Sequence, residues 1–554
     1  MVHYPLMKGF LMTNEKLSFI DQLKVSRTEG SFRELRTRGG LYVDKTKQIY
    51  SCVGVDKFCF LARPRRFGKT LLCSALEELF LANRDLFQGL WIDSSNWKWE
   101  SYPLIKLDMT AVSRRTATGA MVDKLLCMEL ELIAENYEVT LPQDVDASSK
   151  LKALVLRLQK KFNKNVVVII DEYDKPLLDV IENEQAFDEI LGLFKSFYEQ
   201  LKLLTGQLRF VFATGVFKFA KVGMFSGANN FVDLTFNASA GTLVGYTQEE
   251  LEKYFDEGIR SLSLKLHKNS RETLGILQEK YNGYHFGYEI ITSLISPGIY
   301  NSFGINNVFA DNDLTEKWFE SGSPSILLKK LHAENCQTIL HQNLSINVEA
   351  LSSTAIPNEF KSLPLLYFGG YLTINSYDST LKQLTLDFPN SEVSNAFSRS
   401  LIREIAPNTI NAIALIAAKV AQAFQEQQFA SLQDLFNQAL ANIGYQLLLS
   451  QERQYQLAFF MLLNAGSLRA RVEEVTQDGR IDISIEMRHV IYILELKINE
   501  APEKAIAQIK TKDYARKYRH LDLPIWGIGI KLAGKAKKET SQKNAVLALF
   551  AERL

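Results

Sequence analysis

Five consecutive β-branched residues, Val166 to Ile170, run directly into Asp171 and Glu172. A stretch that is apolar at every position fits a strand buried on both faces, as in the middle of a parallel sheet. Three further runs in the first third have a similar texture: "KFCFLA" (57–62), "YPLIKLDM" (102–109) and "RFVFATG" (209–215). Longer stretches with helical spacing separate them, such as "LLCSALEELFLANRDLF" (71–87). Strands alternating with helices predict an α/β domain, a parallel sheet flanked by helices. Residues 291–450 read as mostly helical. "LIREIAPNTINAIALIAAKVAQAF" (401–424) contains one helix, and Ser431 with Asp434 predicts a capping box opening another. From 451 the pattern changes to a helix, the paired strands "RIDISIE" (480–486) and "VIYILELK" (490–497), a second helix and the strand "PIWGIGI" (524–530). The expected division is 1–290, 291–450 and 451–554.

Composition narrows the class. A chain of 554 residues exceeds one ordinary core, so roughly two to four domains are expected. Hydrophobic residues at 46% and charged residues at 23% are those of a soluble globular protein. With a formal net charge of +1, any nucleic-acid binding must use local patches instead of a global field. The five cysteines, Cys52, Cys59, Cys73, Cys127 and Cys336, lack metal-ligand spacing and suit reduced thiols in the cytoplasm. The first residues do not read as a signal peptide, and the apolar run Ala412 to Ala418 is too short to cross a bilayer. No membrane role is expected.

The first candidate site is "ARPRRFGKT" (62–70), placed between a strand and a helix. A phosphate loop needs that context, because backbone N–H groups and the helix N-terminus then point at the phosphates. Lys69 supplies a mobile charge and Thr70 a hydroxyl suited to Mg2+. Arg63 occupies the place of the loop's usual first glycine, and a left-handed backbone there would cost roughly 1–2 kcal/mol. Pro64 offers a way to avoid that conformation. The competing reading is a basic turn. Asp171, at the carboxyl end of an apolar strand, suits a magnesium ligand, and Glu172 suits orienting or activating a water. Thr214 ends a third strand, where it can sense a γ-phosphate.

The second candidate site is "GRIDISIEMRHVIYILELKINE" (479–500). A hairpin turning around Arg488 brings Asp482 within about one residue of Glu495. Lys497, two residues further, shares the Glu495 face. Two carboxylates about 5.5 Å apart repel by about 3 kcal/mol at an effective dielectric of about 20, so a cation must offset them. Mg2+ would do so and prepare a phosphodiester for attack, with Lys497 positioning or activating water or stabilising phosphate charge. Alternatively Lys497 alone neutralises an ordinary surface network. Lys510, Lys512, Arg516, Lys517 and Arg519 suit either a phosphate backbone or the solvated face of a helix.

The sequence resembles the AAA-ATPase-like family whose members carry a C-terminal PD-(D/E)XK nuclease-like domain. The resemblance is carried by "GLYVDKT" (40–46), "LARPRRFGKT" (61–70), "VIIDEYDKP" (168–176), "ATGVFKF" (213–219), "MFSGANN" (224–230), "YNGYHFG" (281–287), "IYNSF" (299–303) and "LDFPNSEV" (386–393). "DGRIDI" (478–483), "YILELKI" (492–498) and "AIAQIKTKDYARKY" (505–518) carry it at the C-terminal end. It implies a P-loop NTPase sheet, a mostly helical middle and a restriction-endonuclease-like C-terminal domain. It also implies that an arginine in place of the loop's first glycine, here Arg63, belongs to the family's own pattern, and that Gly68, Lys69, Thr70, Asp171 and Glu172 form a nucleotide site. Arg65 and Arg66 would then contact phosphate or a neighbouring subunit, or else form a solvated turn. Gln508 and Tyr514 would flank the second site, and Glu452 would add a carboxylate. Relatives often show Tyr-His where this chain has Tyr455-Gln456. His285 reads as structural.

Together these features predict an ATP-binding, hydrolysing protein coupled to a magnesium-dependent nuclease acting on DNA or RNA, with homo-oligomer formation open. The alternative is a catalytically silent, nucleotide-dependent scaffold or signalling module whose C-terminal domain only binds a partner.

Overall fold

The computed structural model describes residues 25–27, 30–219, 231–314, 316, 344–352, 362–447, 451–476, 478–534 and 545–554. The motif at 224–230 and Cys336 lie outside them. Two compact units emerge, Met1–Gln278 with Ser296–Lys317, and Glu279–Ile295 with Trp318–Leu554.

The first unit is built on strands β1 (Phe58–Ala62), β2 (Leu104–Asp108), β3 (Val166–Asp171), β4 (Leu208–Gly215) and β5 (Val232–Asp233), ordered β2-β3-β4-β1-β5. Every pairing among them is parallel. Val166 to Ile170 are each 0% exposed, and burying such side chains contributes on the order of 1.5–3 kcal/mol apiece before entropy. Helices Lys69–Phe80, Gly119–Asn136, Ala147–Phe162 and Glu184–Leu203 connect the strands. The register sets Leu61 beside Thr214 and Ile170 beside Ala213. The carboxyl ends of β1, β3 and β4 therefore finish together, and the first candidate site lies there.

The second unit contains an antiparallel sheet of β6 (Ser345–Asn347), β7 (Thr373–Asp378) and β8 (Gln383–Asp387) within the mostly helical middle region. Helices Ser391–Ile405, Ile410–Gln425, Phe429–Leu447 and Glu452–Ala465 follow. Ser431 does not cap the third of them. That helix begins at Phe429, and the Ser431 hydroxyl donates to the Gln428 carbonyl at 2.8 Å.

A mixed sheet closes the chain: β9 (Ala470–Thr476), β10 (Gly479–Met487), β11 (Val490–Ile498), β12 (Ile525–Leu532) and β13 (Val546–Arg553), ordered β13-β12-β11-β10-β9. Only β11 and β12 run parallel, as the helix Pro502–Thr511 between them requires. Ile481, Ile491, Ile493, Ile506, Ile509, Tyr514 and Tyr518 share one apolar cluster beneath that helix. A Cβ at Gly529 would stand 2.0 Å from the Pro502 carbonyl oxygen, so only glycine lets the helix start this close to β12. Among the described residues no helix is long and apolar enough to cross a membrane.

Candidate functional site

In the first unit the chain leaves β1 through Arg63, whose N–H donates to the Gly215 carbonyl at 3.1 Å and extends the ladder with β4. Its φ is not positive; the left-handed residues of this loop are Arg66 (φ 71°) and Gly68 (φ 91°). The feared cost at Arg63 is therefore absent, and a left-handed arginine at 66 carries it instead. The Arg63 side chain is fully buried and donates to the carbonyls of Ala62 and Thr235, each at 2.8 Å, and Ala240 at 3.2 Å.

Gly68 is the N-cap of the helix Lys69–Phe80, and no side chain caps it. Its first N–H groups are thus left for an anion. Lys69 is 5% exposed and donates to the carbonyls of Arg63 and Pro64, both at 3.0 Å. Burial lowers the pKa of its ammonium, against the opposing pull of Glu172, Asp171 and Asp174. Thr70 is exposed. Asp171 accepts the Thr214 hydroxyl at 2.6 Å and the Glu172 N–H at 3.0 Å. Glu172 has φ 49°, a second strained non-glycine residue in the site.

Asp174 escaped the sequence reading. It accepts the N–H groups of Val216 and Phe217 at 2.9 and 2.7 Å, tying the turn after β3 to the end of β4. Burial pushes its carboxyl up to about 6, although those hydrogen bonds and Lys69 oppose the rise.

The two loop arginines part company. The Arg66 guanidinium lies 4.0 Å from the centre of the Phe303 ring, and the Ser302 hydroxyl donates to the Arg66 carbonyl at 3.2 Å. Arg65 is half-buried, and among the described residues its side chain has no hydrogen bond or ion pair. Beside the loop opens a cavity of about 400 Å3, lined by Gly68, Lys69, Thr70, Glu172, Tyr246 and Phe303 among others. That volume falls within the range of small-ligand pockets. An uncapped helix start, a lysine and a cavity suit a nucleotide. Tyr246 and Phe303 were missed because they lie far along the chain from the loop.

In the second unit the hairpin turns at Arg488-His489, with Met487 opposite Val490 and Ile483 opposite Leu494. The expected register was one residue off, and the observed one, continued, sets position 482 against 495. The regular pairing stops at Ile483, and the Asp482 carboxylate instead accepts the Leu496 N–H at 2.7 Å. Asp482 and Glu495 are 6% and 1% exposed. Glu495 Oε1 accepts the Lys497 ammonium at 2.9 Å and also the Gln508 amide. Glu495 Oε2 is buried and makes no hydrogen bond. Leu494 and Leu496 are fully buried, as alternation predicts.

Burial, then the charge of Glu495, raises the pKa of Asp482 well above the usual carboxylate range. Burial likewise lifts Glu495 to about 6, with Lys497 pulling against it. At Lys497 burial opposes the charge, yet the Glu495 hydrogen bond and the surrounding carboxylates prevail and raise its pKa. Lys497 therefore remains an ammonium, which favours charge stabilisation over proton abstraction.

The helix Glu452–Ala465 supplies Glu452, half-buried, its pKa raised by burial and by Glu473 while Lys497 opposes. One turn on, the fully buried Gln456 donates its amide to Glu473 at 2.9 Å and to Asp482 at 3.1 Å. Gln456 Oε1 is buried without a hydrogen bond. It stands at the position where the sequence departs from its resemblance, and that departure was the signal that marks it. The Gln508 amide lies 3.4 Å from the Tyr514 hydroxyl, so Gln508 links Tyr514 to Glu495. An orphaned Glu495 oxygen, on one of two buried carboxylates of raised pKa, suits a hard divalent cation. Magnesium needs only one or two carboxylates besides water and phosphate. Among the described residues no group of three or more His, Cys, Asp or Glu is arranged to hold a metal ion.

This geometry defines an α/β nucleotide-binding type of unit and, separately, a nuclease-like sheet. Residues 29–225 match the family model described as "Predicted AAA-ATPase". Residues 450–541 match the PD-(D/E)XK nuclease superfamily. The chain carries an AAA-ATPase-like domain in its N-terminal region and a PD-(D/E)XK nuclease-superfamily domain at its C-terminus. It is 28% identical over 506 residues to an uncharacterized protein in the vnfD 5'region of Azotobacter chroococcum mcd 1, covering 89% of this chain and 93% of that one. A crystal structure of Cdc6p from Pyrobaculum aerophilum overlaps 64% of this chain and 93% of its own at 11% identity, with a TM-score of 0.20, too loosely to define a shared architecture.

Proposed function

We propose that this chain binds and hydrolyses ATP with Mg2+ and, through its C-terminal domain, cleaves DNA or RNA phosphodiesters with Mg2+. Lys69 and the first N–H groups of its helix hold the phosphates, with Arg65 beside them. Thr70 and Asp171 hold the nucleotide's metal ion, Thr214 fixes the Asp171 carboxylate, and Glu172 orients the attacking water. In the C-terminal domain Asp482 and Glu495 hold a second metal ion. When bound, that ion supplies Lewis-acid polarisation of a phosphodiester and a more acidic water. Gln508 fixes Glu495, Gln456 fixes Asp482, and the Lys497 ammonium stabilises charge on the phosphate.

The observation that supports this reading most is the buried pair Asp482 and Glu495 with one carboxylate oxygen lacking any hydrogen bond. Desolvating two carboxylates beside one lysine is costly unless a further cation completes them. The test is incubation of purified protein with single-stranded DNA, double-stranded DNA and RNA, plus magnesium or manganese. Cleavage is expected, and its loss in Asp482→Ala and in Lys497→Ala. Equal cleavage by wild type and both variants identifies a contaminant and overturns the nuclease reading. No cleavage alongside retained ATP binding favours the scaffold.

A further inference from the structure

Five cations lie between residues 510 and 519, and the structure separates them. The Lys510 ammonium pairs with Glu552 at 2.7 Å, Lys517 with Glu474 at 2.8 Å, and Arg519 with Asp513 at 2.6 Å. Lys512 and Arg516 are exposed, and among the described residues neither side chain has a hydrogen bond, an ion pair or a ring contact. An exposed cation with no ion-pair partner keeps its charge for a polyanion, whereas a paired one must first give up its partner.

The segment that carries these two is fastened beside the paired carboxylates through Tyr514. Asp513, in a left-handed turn with φ 44°, separates Lys512 from Tyr514. The Tyr514 ring is 2% exposed, and its hydroxyl lies 3.4 Å from the Gln508 amide that donates to Glu495. A Cβ at Gly479, three residues before Asp482, would stand 3.0 Å from that hydroxyl. The turn is thus pinned to both strands that carry the carboxylates, and Lys512 and Arg516 bracket the pin. Building on the nuclease reading, we infer that Lys512 and Arg516 are the phosphate-backbone contacts that seat a nucleic-acid strand over Asp482 and Glu495. Lys510 and Arg519 serve internal pairing instead.

The test measures binding of labelled single-stranded DNA, double-stranded DNA and single-stranded RNA to the full chain by fluorescence anisotropy across a salt series. Calcium replaces magnesium so that the strand is not consumed. Wild type is compared with Lys512→Ala/Arg516→Ala, and with Lys510→Ala/Arg519→Ala as control. For the preferred strand, the first double variant is expected to lose about tenfold in affinity near 0.1 M salt, and its salt slope is expected to fall by about two, one per lost phosphate contact. The control keeps wild-type slope. Lys512→Arg/Arg516→Lys restores binding. A first double variant that matches wild type in affinity and slope overturns the inference while leaving the nuclease reading intact. A wild type that binds none of the three strands overturns both.

Discussion

The Lys497 ammonium donates to Glu495 Oε1 at 2.9 Å, while the other oxygen of the same carboxylate is buried with no hydrogen bond. One lysine thus satisfies half of a carboxylate whose pKa burial has raised to about 6. Protons and metal must then compete for it. Magnesium or manganese affinity of wild type, measured by calorimetry, is expected to fall as pH drops through 6, roughly fourfold between pH 7.5 and 5.5 from Glu495 alone. Asp482, also raised, deepens the fall. A flat profile over that interval would contradict the assignment.

The same shift has a signature in stability. Glu495 holds its proton more tightly in the folded chain than at its ordinary 4.5. Its burial therefore costs nothing below that value and the full penalty above about 6. Metal-free Glu495→Gln, which cannot ionise, is expected to be more stable than wild type at pH 8 by on the order of 1–2 kcal/mol. The advantage vanishes near pH 4.5. Thermal melts of the two proteins in EDTA across this range measure it, and a variant less stable than wild type at pH 8 rules out an electrostatic penalty at this carboxylate.

Gln456 holds Asp482 through a single amide hydrogen bond from a helix with no acidic residue closer than Glu452. Gln456→Met keeps the volume and removes that donor, leaving Asp482 and Glu473 short of one hydrogen bond each. Metal affinity is expected to drop about 10–100-fold, the usual cost of losing such an orienting partner. Calorimetry with manganese checks it, and an unchanged Kd assigns Gln456 to packing alone.

The two loop arginines predict opposite behaviour. Arg65 makes no side-chain hydrogen bond or ion pair with a described residue and acts on Asp179 only through its charge, so Arg65→Ala is expected to weaken ATP binding or slow turnover while the melting temperature barely moves. Arg66→Ala gives up the contact with Phe303 and is expected to cost about 0.5–1 kcal/mol of stability. Lys69→Ala is expected to abolish ATP binding, and Glu172→Gln to retain it with slower hydrolysis, as nucleotide-binding and turnover assays would measure. Equal effects of both arginine variants on the melt would show that the distinction between them is wrong.

Much of this was legible in the chain. Val166–Asp171 announced its burial because nothing polar interrupts it, and the hairpin's alternation put Asp482 near Glu495 to within one residue. β9 stayed hidden because "ARVEEVT" places two adjacent glutamates, Glu473 and Glu474, in the strand. Glu473 adopts φ 53°, and the ladder with β10 skips it although the register continues unshifted on either side. Tyr246 and Phe303 were unreadable for another reason. They reach the phosphate loop only by tertiary folding, and no local period encodes that. The β6–β8 sheet was missed because its strands are short and carry exposed polar residues.

Arg63 gives the loop a property of its own. Its guanidinium fastens the strand end to carbonyls at Thr235 and Ala240, more than 170 residues downstream. Installing the glycine that ordinary phosphate loops carry would not repair this one. It would pull a rivet, leaving three carbonyls without their donor and an arginine-sized void under the turn. What a pattern search scores as a blemish here is the fastener by which distant chain holds the phosphate cradle in shape.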